Sequence, residues 1–243
     1  MRRLRKLGDL IGYALHARDG EIGKLKQVYF DDHYWSIRYF IAHTGGWLVG
    51  HDVLIAPVAV ISVGIENKRL EIDLTREQIK NAPSISTQLP VSQHFQQEYY
   101  RYYGWEPYWG GEPMLGPAPY LPPLADEAPG EPKHPHLRSS DEVKGYLIHA
   151  RDGEIGHVED FILEDPGWAV RYLVIDTRRW LPGKQVLVAP AWIQQVVWSQ
   201  QEVKVDLARE TIQTAPPYDS ATIIDREYQA ALYRHYGMEN AKD

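Results

Sequence analysis

The feature that most constrains this chain is an internal repeat with an offset of about 133 residues. Residues 12–23 read Gly-Tyr-Ala-Leu-His-Ala-Arg-Asp-Gly-Glu-Ile-Gly, and the same pattern returns at residues 145–156 with two changes. Roughly 30 of about 74 positions in residues 12–85 are identical to their counterparts, without a gap. Because each copy is large enough to own a hydrophobic core, the repeat indicates duplication of a whole domain rather than a solenoid.

The repeat divides the chain into two domains and a linker. The predicted ranges are 1–104 for the first domain, 105–139 for the linker and 140–243 for the second domain. The linker is rich in proline and glycine, which neither pair in a central strand nor continue a helix, so a semi-extended segment is expected. The ungapped repeat also suggests an internal pseudo-dimer of the two copies, or a homo-oligomer of the chain.

Each copy has the pattern of a small β domain. The Asp-Gly pairs at 19–20 and 152–153 predict tight hairpin turns, because this pair supplies the backbone angles that such turns need. Many short strands separated by turns are typical of a small barrel or sandwich. The further predicted strands of the first copy are 24–30, 37–42, 53–55, 58–63 and 70–72, with counterparts in the second copy.

A short helix is predicted after the last strand of each copy. In the first copy, Thr75 and Gln78 have the spacing of a capping box, and the helix is expected to end before Pro83. The second copy has Ala208 at the position of Thr75, so Asp206 is the expected helix cap there.

A longer helix closes each copy, at residues 92–103 and 225–236, and ends before a glycine. One largely aromatic stripe runs along this helix, and we interpret it as facing the core; a partner surface is the alternative. Tyr100 and Tyr233 lie off the stripe and are predicted on an exposed or interdomain surface. The stripe residues are Phe95, Tyr99 and Tyr103, matched by Tyr228, Leu232 and Tyr236.

The ordered set of motifs resembles the PRC-barrel family. In both copies the same five motifs follow one another: a Gly-Tyr pair, Asp-Gly-Glu-Ile-Gly, an Arg-Tyr strand, a Val-Leu-Ile/Val-Ala-Pro strand and Asp-Leu-x-Arg-Glu-x-Ile-x-x-Ala-Pro. The resemblance covers residues 7–85 and 140–218. It implies a mainly β protein with helices, made of two small PRC-like β barrels in tandem, each followed by a C-terminal helix. Relatives include the cytoplasmic domain of the photosynthetic reaction-centre H subunit and a ribosome-maturation factor, which are binding and scaffolding modules without common catalytic residues.

Composition excludes several classes of function. A formal charge of −7 at pH 7 disfavours nucleic acid as a partner, because such binding depends on Lys and Arg displacing counterions. The absence of cysteine excludes disulfides, thiol catalysis and thiolate metal ligands. No apolar run reaches the roughly 18 residues of a membrane span, and a cytoplasmic location is favoured. The basic start, with Arg2, Arg3, Arg5 and Lys6, is interpreted as a solvated terminus, with weak contact to an anionic membrane surface as the alternative.

Aromatic and histidine side chains are the candidate binding residues. Trp47 and Trp180 follow a predicted strand in a turn-like stretch, where a large aromatic serves either as a binding anchor or as packing at the barrel end. His16 and His149 lie beside the hairpin, where a structural role is favoured over a pH-sensitive or metal-binding site. The full set of candidates is Trp47, Trp180, Tyr100, Tyr233, His16 and His149.

No catalytic residue, metal ligand or cofactor is predicted, and the chain is interpreted as not being an enzyme. Asp19 and Glu21 offer carboxylates, but turn geometry explains both Asp19 and Gly20 and is favoured over a paired general acid and base. Neither a Ser-His-Asp order nor a phosphate loop is present. His134 and His136 are interpreted as part of a solvated linker, with a loosely held metal as the alternative. The predicted function is that of a non-catalytic binding or scaffold protein acting through protein–protein contacts, with an unidentified partner. The alternatives are a barrel pair that binds a small molecule or metal, and an adaptor related to photosynthetic-complex or ribosome assembly.

Overall fold

The structure, a computed structural model, describes residues 2–46, 48, 51–83, 93–106, 137–177 and 184–238. Within these ranges the chain is mainly β with helices, as the sequence predicts. It forms two compact units. One unit is Leu10–Ser140, and the other joins Met1–Asp9 to Asp141–Asp243.

The described strands and helices follow the repeat. In the first half they are β1 (Arg3–Lys6), α1 (Leu7–Leu10), β2 (Ala14–Ala17), β3 (Gly20–Asp31), β4 (Ser36–His43), β5 (Asp52–Ile55), β6 (Val60–Gly64), β7 (Arg69–Ile72), α2 (Arg76–Asn81) and α3 (Gln93–Tyr103). In the second half they are β8 (Leu137–Ser139), α4 (Ser140–Val143), β9 (Leu147–Ala150), β10 (Gly153–Asp165), β11 (Val170–Asp176), β12 (Gln185–Val188), β13 (Ile193–Val197), β14 (Glu202–Val205), α5 (Arg209–Thr214) and α6 (Arg226–His235).

Each unit contains one seven-stranded sheet among its described residues. The pairing order is β5-β4-β3-β2-β7-β6 around the first repeat and β12-β11-β10-β9-β14-β13 around the second. The pairs β2–β7 and β9–β14 are parallel, and the other pairs are antiparallel. Across the described residues no pairing joins the two end strands of either sheet, so the hydrogen-bond ladder does not close into a barrel.

The seventh strand of each sheet comes from the sequence that precedes the other repeat. Strand β1 stands before the first repeat but pairs with β10 of the second, and β8 stands before the second repeat but pairs with β3 of the first. Equivalent ion pairs fix both strands. The Arg5 Nε–Asp165 Oδ2 distance is 2.7 Å, and the Arg138 Nε–Asp32 Oδ2 distance is 3.0 Å. The units therefore differ from the predicted sequential ranges, because residues 1–9 cluster with the second repeat.

This strand exchange corrects the interpretation of the basic start. Residues 3–6 form a strand instead of a solvated terminus. Arg2 and Arg5 form ion pairs with Glu164 and Asp165, the acidic side chains at the end of β10. Their charges are therefore partly compensated within the unit, which weakens the argument for contact with an anionic membrane surface.

Helix α3 packs its aromatic stripe onto the first sheet, as predicted. Tyr99 is fully buried; its hydroxyl donates a hydrogen bond to the Leu54 carbonyl oxygen at 2.8 Å and accepts one from the Ala56 N–H at 3.3 Å. Phe95 and Tyr103 are partly buried beside it. The buried members of this core are Tyr29, Tyr39, Ile41, Leu54, Ala56, Tyr99, Tyr100 and Leu137.

The predicted turns and the first helix cap are confirmed, whereas the predicted cap of the second repeat is wrong. The side chain of Thr75 and that of Gln78 form the reciprocal capping box of α2. At the start of α5, Ala208 occupies the cap position without a side-chain hydrogen bond. Asp206 is not the cap, because its carboxylate accepts a hydrogen bond from Arg151.

Candidate functional site

Two of the six candidate binding residues lie outside the described residues. These are Trp47 and Trp180, and their role as binding anchors stays a prediction. The other four candidates, Tyr100, Tyr233, His16 and His149, lie within the described residues.

The structure places Tyr100 in the core, so the prediction of an exposed surface is wrong for this residue. Tyr100 is only 5% exposed, and its ring lies 6.2 Å from that of Trp105. Burial raises the pKa of the Tyr100 phenol to about 12, although the nearby Arg38 acts in the opposite direction. Its counterpart Tyr233 is partly buried, with its ring 5.2 Å from Trp192 in an edge-to-face arrangement. Both tyrosines therefore contribute to packing.

The two repeated histidines each face a carboxylate on the neighbouring parallel strand. His16 Nδ1 lies 3.5 Å from Glu71 Oε2, and His149 Nε2 lies 3.3 Å from Glu202 Oε1. Each of these pairs offers one nitrogen and one carboxylate, which is fewer ligands than the three or four of protein zinc sites.

The aspartate carboxylates of the two hairpin turns stabilise the first turns of α2 and α5. Asp19 Oδ1 accepts a hydrogen bond from the backbone N–H of Arg76 at 2.7 Å, and Asp152 accepts one from Arg209 at 2.8 Å. Both donors are the backbone N–H groups of the first residue of α2 or α5, where unpaired N–H groups need partners. The structure thus shows a structural role for these aspartates.

An exposed apolar segment at the edge of the first sheet was missed by the sequence reasoning. Val58, Ile61 and Ile65 are 62%, 63% and 51% exposed, and we call these three residues the β6 edge patch. Strand β6 is the end strand of its sheet and pairs only with β7 among the described residues. A bulge between Val60 and Ser62 leaves Ile61 outside the ladder. Bulges of this kind re-aim a side chain, here toward solvent.

The second repeat has the same backbone at this edge but different side chains. Strand β13 carries an equivalent bulge, between Ile193 and Gln195. The counterparts of Val58 and Ile61 are Ala191 and Gln194, which are also exposed. The counterpart of Ile65 is the partly exposed Trp198, so the two repeats differ in apolar surface at Val58 and Ile61 and not at the third position.

Exposed aliphatic side chains at a sheet edge favour association with another protein. Natural proteins usually protect a sheet edge with charged residues, and residues 57–64 contain none. Each exposed Val or Ile that becomes buried in a complex contributes favourable free energy in proportion to its apolar area. The sequence signal for this surface is the difference between Ile61 and its counterpart Gln194 in the second repeat.

Comparisons with known proteins add no family assignment. No family model matches the chain, and no curated protein matches it. In the parts of the chain that the structure describes, no helix is long and apolar enough to cross a membrane.

Proposed function

We propose that this chain is a non-catalytic binding protein that acts as a scaffold through protein–protein contacts of two PRC-like barrel domains. The observation that carries the proposal is the β6 edge patch. It places exposed aliphatic side chains on and beside the end strand β6 of the first repeat, whereas the second repeat has the smaller Ala191 and the polar Gln194 at the positions of Val58 and Ile61.

The partner that fits this surface is a protein with apolar side chains. The three aliphatic groups on β6 and in the turns at its two ends provide area but no polar group to orient a small ligand, and small-molecule sites are normally concave. The large side chains of the sheets, among them Tyr39, Phe40 and Phe161, are fully buried in the cores. These features support protein binding over the alternative of a small-molecule barrel pair.

The presence of two such units in one chain supports a scaffold role in a second way. Each sheet is completed by a strand from the flank of the other repeat, so the two units are linked by two chain crossings at residues 9–10 and 140–141. Such linkage keeps both units in one chain at a fixed stoichiometry. A partner that binds the first repeat is thereby always accompanied by the second.

The proposal is tested by purifying the tagged full chain from its native cells after mild crosslinking. Full burial of an Ile or Val contributes about 1.5–3 kcal/mol, and more than half of each side chain is exposed, so losing two contacts costs about 2 kcal/mol. We therefore expect the double variant V58A/I61Q, which carries the residues of the second repeat, to bind its partner about 30-fold more weakly.

The matched control is Gln194→Ala, which changes the equivalent exposed position of β13. Recovery of one protein in stoichiometric amount by the wild type and Q194A, with its loss from V58A/I61Q, supports the proposal. Equal recovery by all three chains, or recovery of the chain without any protein, contradicts it; the second result favours the small-molecule alternative.

A further inference from the structure

Three potential metal ligands, one imidazole and two carboxylates, lie close together on the second sheet. His157 of β10 and Asp176 of β11 are register partners across the antiparallel pair, and Glu159 lies two residues after His157. One ligand atom from each of these residues lies within 4.8 Å of the other two. Asp176 is buried, whereas His157 and Glu159 are partly exposed, so the group lies at the boundary between core and solvent.

The backbone brings these side chains together through a glycine and a bulge. A Cβ atom at Gly156 would collide with the carbonyl oxygen of Asp176, so glycine is required for the close approach of β11 at this point. The register shifts between Val158 and Asp160, which leaves Glu159 outside the ladder. The strand pairing therefore positions the three ligands without any contribution from a loop.

The first repeat has the same backbone arrangement with different chemistry. Gly23 makes the equivalent approach to the carbonyl oxygen of His43, and the register shifts equivalently between Leu25 and Gln27. The counterparts of His157, Glu159 and Asp176 in the aligned sequence are Lys24, Lys26 and His43.

In the first repeat two of these positions, Lys26 and His43, form an ion-pair network around Asp52. Lys26 Nζ lies 2.9 Å from Asp52 Oδ2, and His43 Nδ1 lies 2.8 Å from Asp52 Oδ1. Burial opposes ionisation of this carboxyl, but hydrogen bonds from both partners outweigh it and lower the pKa of Asp52. In the second repeat the counterpart of Asp52 is the neutral Gln185, and the lysines are replaced by a histidine and a glutamate. The second repeat therefore has one histidine and two carboxylates where the first repeat has its ion-pair network.

We propose that His157, Glu159 and Asp176 bind a divalent first-row transition metal ion, with zinc as the best fit. One imidazole nitrogen and two carboxylate oxygens form a ligand set that zinc accepts, whereas magnesium and calcium select oxygen ligands alone. Ligand atoms on tetrahedral zinc, with bonds of about 2.0–2.1 Å, lie about 3.3 Å apart. His157 Nε2 and Glu159 Oε2 are 3.4 Å apart, which matches this spacing. The exposed side leaves the fourth position to water.

The test is calorimetric titration of the full chain with zinc in chelator-free buffer, with magnesium as the comparison ion. We expect one tight zinc equivalent and no magnesium binding. His157→Lys and Glu159→Lys each introduce the residue of the first repeat at a partly exposed position. Each is expected to lower zinc affinity by at least about 100-fold, because loss of a residue that only hydrogen-bonds to a metal ligand costs about 10–100-fold and these residues are direct ligands. Circular dichroism checks that these variants keep the fold.

Two further variants separate this site from other histidines. The variant H134A/H136A removes the His-x-His sequence of the linker and is expected to retain the tight zinc equivalent. The reverse triple variant K24H/K26E/H43D transplants the ligand set into the first repeat and is expected to bind a second equivalent. The proposal is overturned if the wild type takes up no tight zinc, or if H157K and E159K bind zinc as the wild type does.

Discussion

Replacing Arg5 with alanine is expected to loosen the second repeat, although Arg5 stands directly before the first. The guanidinium of Arg5 is nine-tenths buried against the Asp165 carboxylate at the end of β10, and it belongs to the strand that pairs with residues 162–165. Removing one partner of a fully buried ion pair costs about 3–5 kcal/mol, and the partial exposure of Asp165 reduces this to about 2 kcal/mol. A local destabilisation of this size accelerates amide exchange about 30-fold.

The assay is native hydrogen exchange followed by mass spectrometry, comparing peptides from β10 and β3. In the Arg5→Ala variant, we expect faster exchange in residues 162–165 and unchanged exchange in residues 29–31. Arg138→Ala provides the reciprocal control, because Arg138 stands before the second repeat but pairs with Asp32 beside β3. The strand exchange is refuted if Arg5→Ala accelerates exchange in residues 29–31 and leaves residues 162–165 unchanged.

Two further predictions concern the aromatic core of the first repeat. Tyr99→Phe leaves two buried backbone groups without their partner and is expected to lower the free energy of unfolding by about 2 kcal/mol in urea titrations. The control Tyr102→Phe removes an exposed hydroxyl and is expected to change the free energy of unfolding by less than about 1 kcal/mol. Equal effects of the two variants would contradict the assigned role of Tyr99. Because burial raises the pKa of Tyr100 to about 12, the folded chain keeps this proton while the unfolded chain loses it above about pH 10. The contribution of Tyr100 to the free energy of unfolding is therefore complete below pH 10 and falls by roughly 3 kcal/mol as the pH rises to 12. In urea titrations at pH 9 and 11.5, the Tyr100→Phe variant is expected to lose less free energy of unfolding between the two pH values than the wild type does.

Local sequence patterns predicted the local structure of each repeat. The Asp-Gly turns, the capping box at Thr75 and the closing helices depend on residues within a few positions of one another, and all are present in the structure. The aromatic stripe of α3 packs onto the core as its spacing predicts, with Tyr99 fully buried. These features could be predicted because each depends on backbone geometry over a single turn or helix face.

Features that depend on distant segments could not be predicted in this way. Residues 3–6 resemble a solvated basic terminus, and only the acidic end of β10, about 160 positions away, explains why they form a strand. Tyr100 lies off the helical stripe, yet Trp105 and Leu137 belong to the same cluster and help to enclose it. For α5, the carboxylate at the first turn comes from Asp152 in the hairpin and not from the residues just before the helix. In each case a partner remote in sequence decides the outcome.

The candidate surfaces were only partly visible in the sequence. The repeat draws attention to identical residues such as His16 and His149, whereas the structure draws attention to positions where the repeats differ. Ile61 differs from Gln194 at an exposed edge, and Lys24 differs from His157 at a shared backbone site. Identity between the copies reports what the fold requires, so the differences are the better guide to function in a duplicated chain.

The most direct test of the proposed function is site-specific photo-crosslinking on the β6 edge in native cells. A photoreactive amino acid is placed at Ser62, which is exposed next to Ile61, and in a second chain at the equivalent Gln195 of β13. We expect the probe at Ser62 to capture one defined protein and the probe at Gln195 to capture none. Equal labelling from both positions, or no captured protein from Ser62, would contradict a specific protein-binding surface on the first repeat.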